Sequence, residues 1–186
     1  MTTLDPHKWV ATHADYLYAY ALSRINDEDL ARDLVQETFL AALQNARSFA
    51  GKSSERTWLA AIMKNKVVDV YRKRASGLKI TGNEGTMHGQ DDFFEEDNGH
   101  WKADHLPHAV GIENKDHLVT KEFNEVLKQC MQKLPALWTA VFTMKHIDDE
   151  ATDMICAQMK VTPANFWVII HRTKVNLRAC LQKNWI

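Results

Sequence analysis

The stretch of residues 33–43, D-L-V-Q-E-T-F-L-A-A-L, places the strongest constraint on the fold of this chain. Its apolar residues recur at the spacing of one face of an α-helix, which predicts a helix with a single buried stripe. That stripe comprises Val35, Phe39, Ala42, Leu43 and Ala46. The opposite face is expected to be exposed and consists of Asp29, Asp33, Gln36, Glu37 and Leu40. Charged residues at this spacing are usually just solvated, so the strip alone does not define a binding site.

Length and composition bound the size and number of domains that this chain can form. It has 186 residues, of which 45% are hydrophobic, enough for one ordinary domain or two small ones. No apolar run reaches the length of a membrane span, and the first residues lack the apolar core of a signal peptide. We therefore expect a cytoplasmic protein without membrane insertion. Cys130, Cys156 and Cys180 are odd in number and far apart, which predicts reduced thiols rather than a disulfide framework.

Charge is distributed unevenly along the chain. The formal net charge is only −1, so any contact with nucleic acid has to use local basic patches. One patch comprises Arg47, Lys52, Arg56, Lys64, Lys66, Arg72, Lys73 and Arg74, and a second comprises Lys160, Arg172, Lys174, Arg178 and Lys183. Between them, residues 91–97 are mainly acidic. This pattern suggests two DNA contacts joined by a segment that stays off DNA.

The N-terminal part of the chain reads as three helices. The first is expected over residues 4–25 with Trp9, Val10, His13, Leu17, Tyr20, Ala21 and Ile25 at helical spacing. Asp27 is the expected N-cap of the second helix. Residues 48–57 read as a loop in which Ser53 or Ser54 caps the third helix. That helix, expected over residues 58–74, is predicted to bury Leu59, Ile62, Met63, Val67 and Val70.

The C-terminal part carries a helix-turn-helix pattern. A helix after residue 117 is interrupted at Leu134, and Pro135 is expected to begin the next one. A short helix near residues 152–159 is followed by a three-residue turn, and Thr162 and Pro163 give a strong start signal for the last helix. Its inward face is predicted to be Phe166, Ile170, Thr173 and Leu177. Its outward face is predicted to be Asn165, Trp167, Val168, His171, Arg172, Lys174 and Arg178.

Several of these segments resemble one protein family. D-L-V-Q-E-T-F, followed by Trp58, Leu59, Ile62, Asn65, Asp69 and Arg72 in W-L-A-A-I-M-K-N-K-V-V-D-V-Y-R, resembles the second conserved region of bacterial RNA polymerase sigma factors. H-R-x-K-x-x-L-R, from His171 to Arg178, resembles the end of the fourth region, which reads the upstream promoter element. The resemblance covers residues 16–74 and 123–181, and the short chain is typical of the extracytoplasmic-function group.

The resemblance implies an architecture and a set of partners. We expect an all-α fold with two small helical domains, residues 1–75 and 117–186, joined by a flexible acidic linker over residues 76–116. The C-terminal domain would be the helix-turn-helix. Its partners would be core RNA polymerase, promoter DNA and an anti-sigma factor. Polymerase supplies the chemistry, so we expect no catalytic residues, no cofactor, no metal and no enzyme activity.

The resemblance also implies roles for individual residues. Core polymerase would be bound by Asp33, Gln36, Glu37 and Leu40. The start-proximal promoter element would be bound by Phe49, Lys52, Ser53, Arg56, Asn65, Arg72, Lys73 and Arg74, which offer the cations, planar groups and amides that single-stranded DNA requires. The upstream element would be bound by Thr162, Asn165, Trp167, Val168, His171, Arg172, Lys174 and Arg178.

Some residues also admit a purely structural interpretation. Phe49 could plug the core, Trp58 is best explained by packing, and Asp69 could form an intrahelical ion pair with Arg72 or Lys73. Trp167, Val168 and Ile169 stand where polar or basic residues are common in the family. Trp167 and Val168 could contact thymine methyl groups, fill the core or dock a regulatory protein. Lys160 stands where glycine is common, which implies a cost of about 1 kcal/mol if its backbone is left-handed.

Two other functions fit parts of the sequence. A stand-alone helix-turn-helix regulator would explain residues 163–178 but not D-L-V-Q-E or W-L-A-A-I-M-K-N. A metal-responsive interaction protein would use the scattered histidines His88, His100, His105, His108 and His117. Those histidines lack the close, rigid spacing that metal sites require.

Overall fold

The computed structural model describes residues 4–76 and 117–185, and within them the chain is helical without any strand. The prediction of an all-α fold is therefore confirmed. The helices are α1 (Pro6–Ile25), α2 (Glu28–Gln44), α3 (Glu55–Ser76), α4 (His117–Gln132), α5 (Ala136–His146), α6 (Thr152–Met159) and α7 (Pro163–Asn184), with a 3₁₀ turn at Ala46–Ser48. None of these helices combines the length and apolar character needed to cross a bilayer.

The chain divides into two compact units, Met1–Lys73 and Arg74–Ile186, which we call unit 1 and unit 2. Apart from Ser76, the expected linker over residues 76–116 lies outside the described residues. The helices α1 to α3 belong to unit 1, although α3 continues to Ser76. The helices α4 to α7 belong to unit 2.

Unit 1 is built from three helices that share one core. Asp27 caps α2 as predicted, because its Oδ1 accepts a hydrogen bond from the Leu30 amide at 3.0 Å. The buried side chains of α1 are Trp9, Leu17, Ala21 and Ile25; those of α2 are Ala31, Leu34, Val35, Thr38 and Ala42; and those of α3 are Leu59, Met63, Val67, Val68 and Tyr71. Thr38 satisfies its buried hydroxyl by donating to the Leu34 carbonyl at 2.7 Å.

Several predicted core positions of unit 1 were wrong. Leu43 and Val10 are exposed, and four other predicted core residues are only half-buried: Phe39, Ala46, Ile62 and Val70. On α2 the buried stripe runs through Leu34, Thr38 and Ala42, and Leu43 lies one residue, or about 100° of rotation, beyond it. The polar residue Thr38 thus lies in the core, whereas the sequence analysis had chosen the hydrophobic residue Leu43.

Unit 2 contains the helix-turn-helix as predicted. Helix α6 ends at Met159, three residues form the turn, and α7 begins at Pro163. Thr162 caps α7, since its Oγ1 accepts a hydrogen bond from the Asn165 amide at 3.2 Å. The predicted inward residues of α7 are all buried: Phe166, Ile170, Thr173 and Leu177. Pro135 precedes α5 as its N-cap instead of beginning it, a difference of one residue.

The turn of the helix-turn-helix adopts the strained conformation that the sequence implied. Lys160 has φ 55° and ψ 42°, in the left-handed region that favours glycine. We therefore expect Lys160→Gly to raise the free energy of unfolding of unit 2 by about 1 kcal/mol, measured by urea denaturation. Lys160→Ala is the control, because it keeps the strained backbone and should bring no gain. Equal stabilisation by both variants would contradict this explanation.

The cysteine prediction was wrong for two of the three residues. Cys130 of α4 and Cys180 of α7 form a disulfide, although they are 50 residues apart in sequence. The packing of α4 along α7 brings their Cα atoms to 5.8 Å, a proximity that sequence spacing does not reveal. Cys156 is a buried free thiol, as expected.

Candidate functional site

The face of α2 that points away from the core combines acidic, amide and apolar groups. Asp33, Gln36, Glu37 and Leu40 are all exposed, as their helical spacing predicted. Leu40 is 59% exposed and Leu43 is 51% exposed, so two leucines stand in solvent one turn apart. Contiguous exposed apolar surface with a polar rim is typical of protein-binding sites, and neighbouring leucines can form the apolar centre of such a site. We call Asp33, Gln36, Glu37, Leu40 and Leu43 the α2 face; Leu43 is the member that the sequence analysis missed.

Two acidic residues on the exposed side of α2, Asp29 and Glu37, form ion pairs with different partners. The Lys66 Nζ of α3 lies 2.9 Å from the Glu37 Oε2, which ties the α2 face to α3. Asp29 is paired with Arg32 within the first turn of α2, at 2.7 Å between Oδ1 and Nη1. Surface pairs of this kind contribute at most about 1 kcal/mol, so a partner can displace them at little cost.

The loop before α3 is anchored by an aromatic cluster. The ring centroid of Phe49 lies 5.2 Å from that of Trp58, and Trp58 in turn makes an edge contact with Trp9 at 6.1 Å. Phe49 is half-buried, so its ring packs inward in this state. The prediction that Trp58 is a packing residue is confirmed.

The rest of that loop presents polar groups. Ser54, and not Ser53, caps α3, because its Oγ accepts a hydrogen bond from the Thr57 amide at 3.1 Å. Lys52 and Ser53 are therefore left exposed on the loop. The Arg56 guanidinium stacks on the Tyr16 ring, 3.9 Å from its centroid. This contact, which joins the start of α3 to α1, was not foreseen from the sequence.

The outer face of α3 carries the remaining residues assigned to the start-proximal element. Asn65, Arg72, Lys73 and Arg74 are exposed. The Arg72 Nη1 lies 2.9 Å from the Asp69 Oδ1, which confirms the intrahelical ion pair. Lys52 lies in the loop before α3, and the other cations of this set, Arg72, Lys73 and Arg74, lie near its C-terminal end. Exposed cations are therefore present at both ends of α3.

The start of α7 presents an amide and two apolar side chains to solvent. Asn165 is exposed, Trp167 is 58% exposed and Val168 is 44% exposed, whereas Ile169 is buried. The Trp167 ring rests edge-on against Phe166, with 5.1 Å between the centroids. The apolar departure from the family pattern is thus confined to Trp167 and Val168. The Thr162 side chain is engaged in capping α7.

Cationic residues continue along α7 behind this tip. His171 and Lys174 are exposed, while Arg172 and Arg178 are half-buried. Half-buried arginines keep their stems on the protein and extend the guanidinium outward, a geometry that suits phosphate contacts. In the described ranges 4–76 and 117–185, no group of histidine, cysteine, aspartate and glutamate side chains could hold a metal ion. His88, His100, His105 and His108 lie outside those ranges.

Comparisons with known proteins place this arrangement in one family. The family model Sigma-70 region 2 matches residues 9–77. A probable RNA polymerase sigma factor of Haemophilus influenzae is 30% identical over 167 residues, covering 90% of this chain and 84% of that protein. The ECF RNA polymerase sigma factor SigW of Bacillus subtilis is 26% identical over 178 residues, covering 93% and 87%.

A solved structure of the sigma factor RpoE in complex with the anti-sigma factor NepR from Bartonella quintana aligns with a TM-score of 0.48 and 17% identity, over 96% of this chain and 97% of that one. The level and extent of the sequence identity to the Haemophilus influenzae protein decide the assignment. The chain belongs to the bacterial RNA polymerase sigma factors, in the extracytoplasmic-function group.

Proposed function

We propose that this sigma factor, which directs promoter-specific transcription initiation, binds core RNA polymerase through the α2 face. The exposure of Leu40 and Leu43 beside Asp33 and Gln36 is the observation that supports this assignment most directly. Burial of the two leucines would supply affinity, and the flanking carboxylate and amide would fix the register of the complex. Glu37 would exchange its bond to Lys66 for a basic group of the polymerase.

Loss of the polymerase complex is the expected result when the polar part of the α2 face is removed. The double variant Asp33→Ala with Gln36→Ala should fold normally, since exposed substitutions change stability by no more than about 0.5 kcal/mol. Its complex with core polymerase, measured by gel filtration and native electrophoresis, should disappear or weaken strongly.

The matched control for this experiment removes one acid and one neutral polar side chain from another helix of unit 1. Thr12 and Asp15 are exposed on α1 and so lie outside the α2 face. The variant Thr12→Ala with Asp15→Ala should bind polymerase like the unchanged protein. Equal binding by both double variants would refute the assignment of the α2 face. Tight promoter binding by a chain that never joins polymerase would favour a stand-alone regulator.

We propose that unit 1 also holds the opened DNA strand of the start-proximal promoter element. The loop offers Lys52 and Ser53, the start of α3 offers Arg56 on the Tyr16 ring, and the same helix offers Asn65. Single-stranded DNA is held by cations at its phosphates and by planar groups at its bases. The inward packing of Phe49 favours a supporting role for that ring over direct stacking. Arg72, Lys73 and Arg74 supply the cations at the other end of α3.

We propose that α7 of unit 2 reads the upstream element in duplex DNA. In helix-turn-helix proteins the N-terminal residues of the second helix contact base edges in the major groove. Asn165, which is exposed, would bond an adenine, and Trp167 and Val168 would contact the methyl groups of thymine. His171, Arg172, Lys174 and Arg178 follow along the helix and suit the phosphates. Thr162 acts indirectly, because its hydroxyl holds the first turn of α7 in place.

The salt dependence of duplex binding tests the phosphate contacts. Lys174→Gln should reduce the slope of log affinity against log salt concentration by about 0.9, the value expected for one lost phosphate contact. Lys183→Gln is the control, since Lys183 is exposed in the last turn of α7, far along the helix from its DNA-reading start. Fluorescence anisotropy with labelled promoter duplex at several salt concentrations measures both slopes. The same decrease in both variants would show that general charge, and not a contact at Lys174, sets the slope.

We propose a role without catalysis, carried out in the cytoplasm beside the polymerase. The polymerase supplies the active site, and this chain supplies promoter recognition through two DNA contacts on one polypeptide. Joining two weak contacts raises the effective concentration of the second once the first has formed. Transcription assays with core polymerase test this division of labour: the chain should confer promoter specificity and leave the rate of RNA elongation unchanged. A changed elongation rate would contradict it.

We propose an anti-sigma factor as a third partner of this chain. The exposed apolar residues of the two units, Leu40 and Leu43 in unit 1 and Trp167 and Val168 in unit 2, offer surface that such a protein could cover. A protein that co-purifies with the chain and prevents its binding to core polymerase would support the proposal. The proposal fails if every co-purifying protein leaves the polymerase complex intact.

A further inference from the structure

The disulfide of unit 2 joins helix α4 to helix α7. Helix α4 packs mainly against α7 within the described residues, and Cys130 and Cys180 join the two helices covalently. The rings of Phe123 and Trp185 make a second, noncovalent contact between them, with 5.5 Å between the centroids. Helices α5 and α6 make their own contacts with α7, and α5 also reaches α4, where the Thr139 Oγ1 donates to the Met131 carbonyl at 3.2 Å. The disulfide therefore fastens α4 to α7 and does not link α6 to α7, the two helices of the helix-turn-helix.

The two sulfur atoms lie in unequal surroundings. Cys130 is 2% exposed, whereas Cys180 is half-buried and so partly open to solvent. The Lys133 Nζ lies 3.9 Å from the Cys180 Sγ, and the Asn184 Nδ2 lies 3.5 Å from the same atom. A cation and an amide donor both stabilise negative charge on a cysteine sulfur. Cys180 is therefore the more exposed cysteine of the pair and the one with a cation and an amide donor beside its sulfur.

We propose that Cys130 and Cys180 form a redox-modification site that exchanges with low-molecular-weight thiols and their disulfides. Thiols in the cytoplasm are kept reduced, so a disulfide there forms and breaks with the redox state. This step rests on the cytoplasmic role proposed above. Cys156 is buried on α6 and is not part of the pair.

The exchange takes place in two balanced steps. A small thiolate attacks the Cys180 sulfur, which breaks the Cys130–Cys180 bond and releases the Cys130 thiolate, which then takes up a proton. A second thiolate attacks the outer sulfur of the mixed disulfide, which releases the Cys180 thiolate beside Lys133 and yields the small-molecule disulfide. Two small thiols are oxidised and the protein disulfide is reduced by two electrons. Oxidation follows the same steps in reverse, with the small-molecule disulfide as the electron acceptor.

Reduction has its largest structural consequence in α4. Without the covalent link, α4 is held on α7 by noncovalent contacts such as that between Phe123 and Trp185. The amides of α4 should then exchange with solvent faster, and this increase should exceed that of the amides of α5, α6 and α7, which respond only to the lower stability of unit 2 as a whole. The site thus couples the thiol redox state to the attachment of α4.

The test uses the full chain in buffers of varied ratio of reduced to oxidised glutathione, with thiols counted by alkylation and mass spectrometry. We expect a reversible two-electron transition at Cys130 and Cys180 and a glutathione adduct trapped on Cys180 in Cys130→Ser. After reduction, we expect hydrogen exchange to increase more in α4 than in α5, α6 and α7. Cys156→Ala should change none of these. Lys133→Gln should slow the exchange several-fold.

Three results would overturn the proposal: both thiols staying reduced at every glutathione ratio, a disulfide that millimolar thiol does not reduce, or unchanged exchange in α4 after reduction. An unchanged rate in Lys133→Gln would overturn the role of that lysine. These measurements involve neither polymerase nor DNA, so their failure is distinct from failure of the sigma factor assignment.

Discussion

Phe166→Ala should lower the free energy of unfolding of unit 2 by about 4 kcal/mol, the cost of deleting a fully buried aromatic side chain. Phe166 is 0% exposed at the point where α7 packs on the rest of the helix-turn-helix. The variant should lose the hydrogen-exchange protection of α5, α6 and α7. It should also lose binding to upstream promoter duplex, because α7 is no longer held at a defined angle.

The neighbouring residue is the matched control. Trp167 is 58% exposed, so Trp167→Ala removes little buried area and should cost less than about 1 kcal/mol. It should nevertheless weaken duplex binding if its ring contacts DNA. Comparison of Phe166→Ala with Trp167→Ala therefore distinguishes an effect on the stability of unit 2 from an effect on DNA binding. A Trp167→Ala variant with unchanged stability and unchanged duplex affinity would assign Trp167 to a protein partner instead.

Removal of the Cys130–Cys180 disulfide should lower the free energy of unfolding of unit 2 by a similar amount. A cross-link between residues 50 apart restricts the unfolded chain by about 4 kcal/mol in the chain-entropy description. Urea denaturation with and without reductant, followed by hydrogen exchange in α4, measures this effect. The double variant Cys130→Ser with Cys180→Ser should behave like the reduced protein.

The control for this experiment is Cys156→Ala, which leaves the disulfide intact. Its stability should still depend on reductant to the same extent as that of the unchanged chain. Unit 1, which contains no cysteine within residues 1–73, provides an internal reference that reductant should not affect. A loss of stability in unit 1 on reduction would show that the effect is not caused by the disulfide.

Local chemistry explains which parts of the fold could be predicted. Asp27 and Thr162 were identified as helix caps, and Pro163 as the first residue of α7, because a cap depends only on residues within one turn. The left-handed backbone of Lys160 was indicated by its place in the turn, where helix-turn-helix proteins often have glycine. Caps, turn and helical periodicity together determine the helix-turn-helix without knowledge of the core.

The sequence did not predict the orientation of side chains whose surroundings are formed by a second helix. The periodicity of α2 is compatible with either Thr38 or Leu43 facing the core, and only the position of α3, which brings Met63 to Thr38, selects the threonine. The sequence left open whether Phe49 faces the solvent or the core. In the structure its ring packs against Trp58, which in turn contacts Trp9. The polymerase and DNA contacts remain proposals for which exposure and charge are the support.

The sequence by itself determined the helical class, the two helical parts, the helix-turn-helix and the family resemblance, because each rests on residues close together in the chain. Only the tertiary structure decided that Leu43 joins the α2 face, that Arg56 stacks on Tyr16, and that Cys130 meets Cys180. Each of these depends on how one helix is rotated and positioned against another. That geometry follows from packing of the whole core, which no single segment encodes.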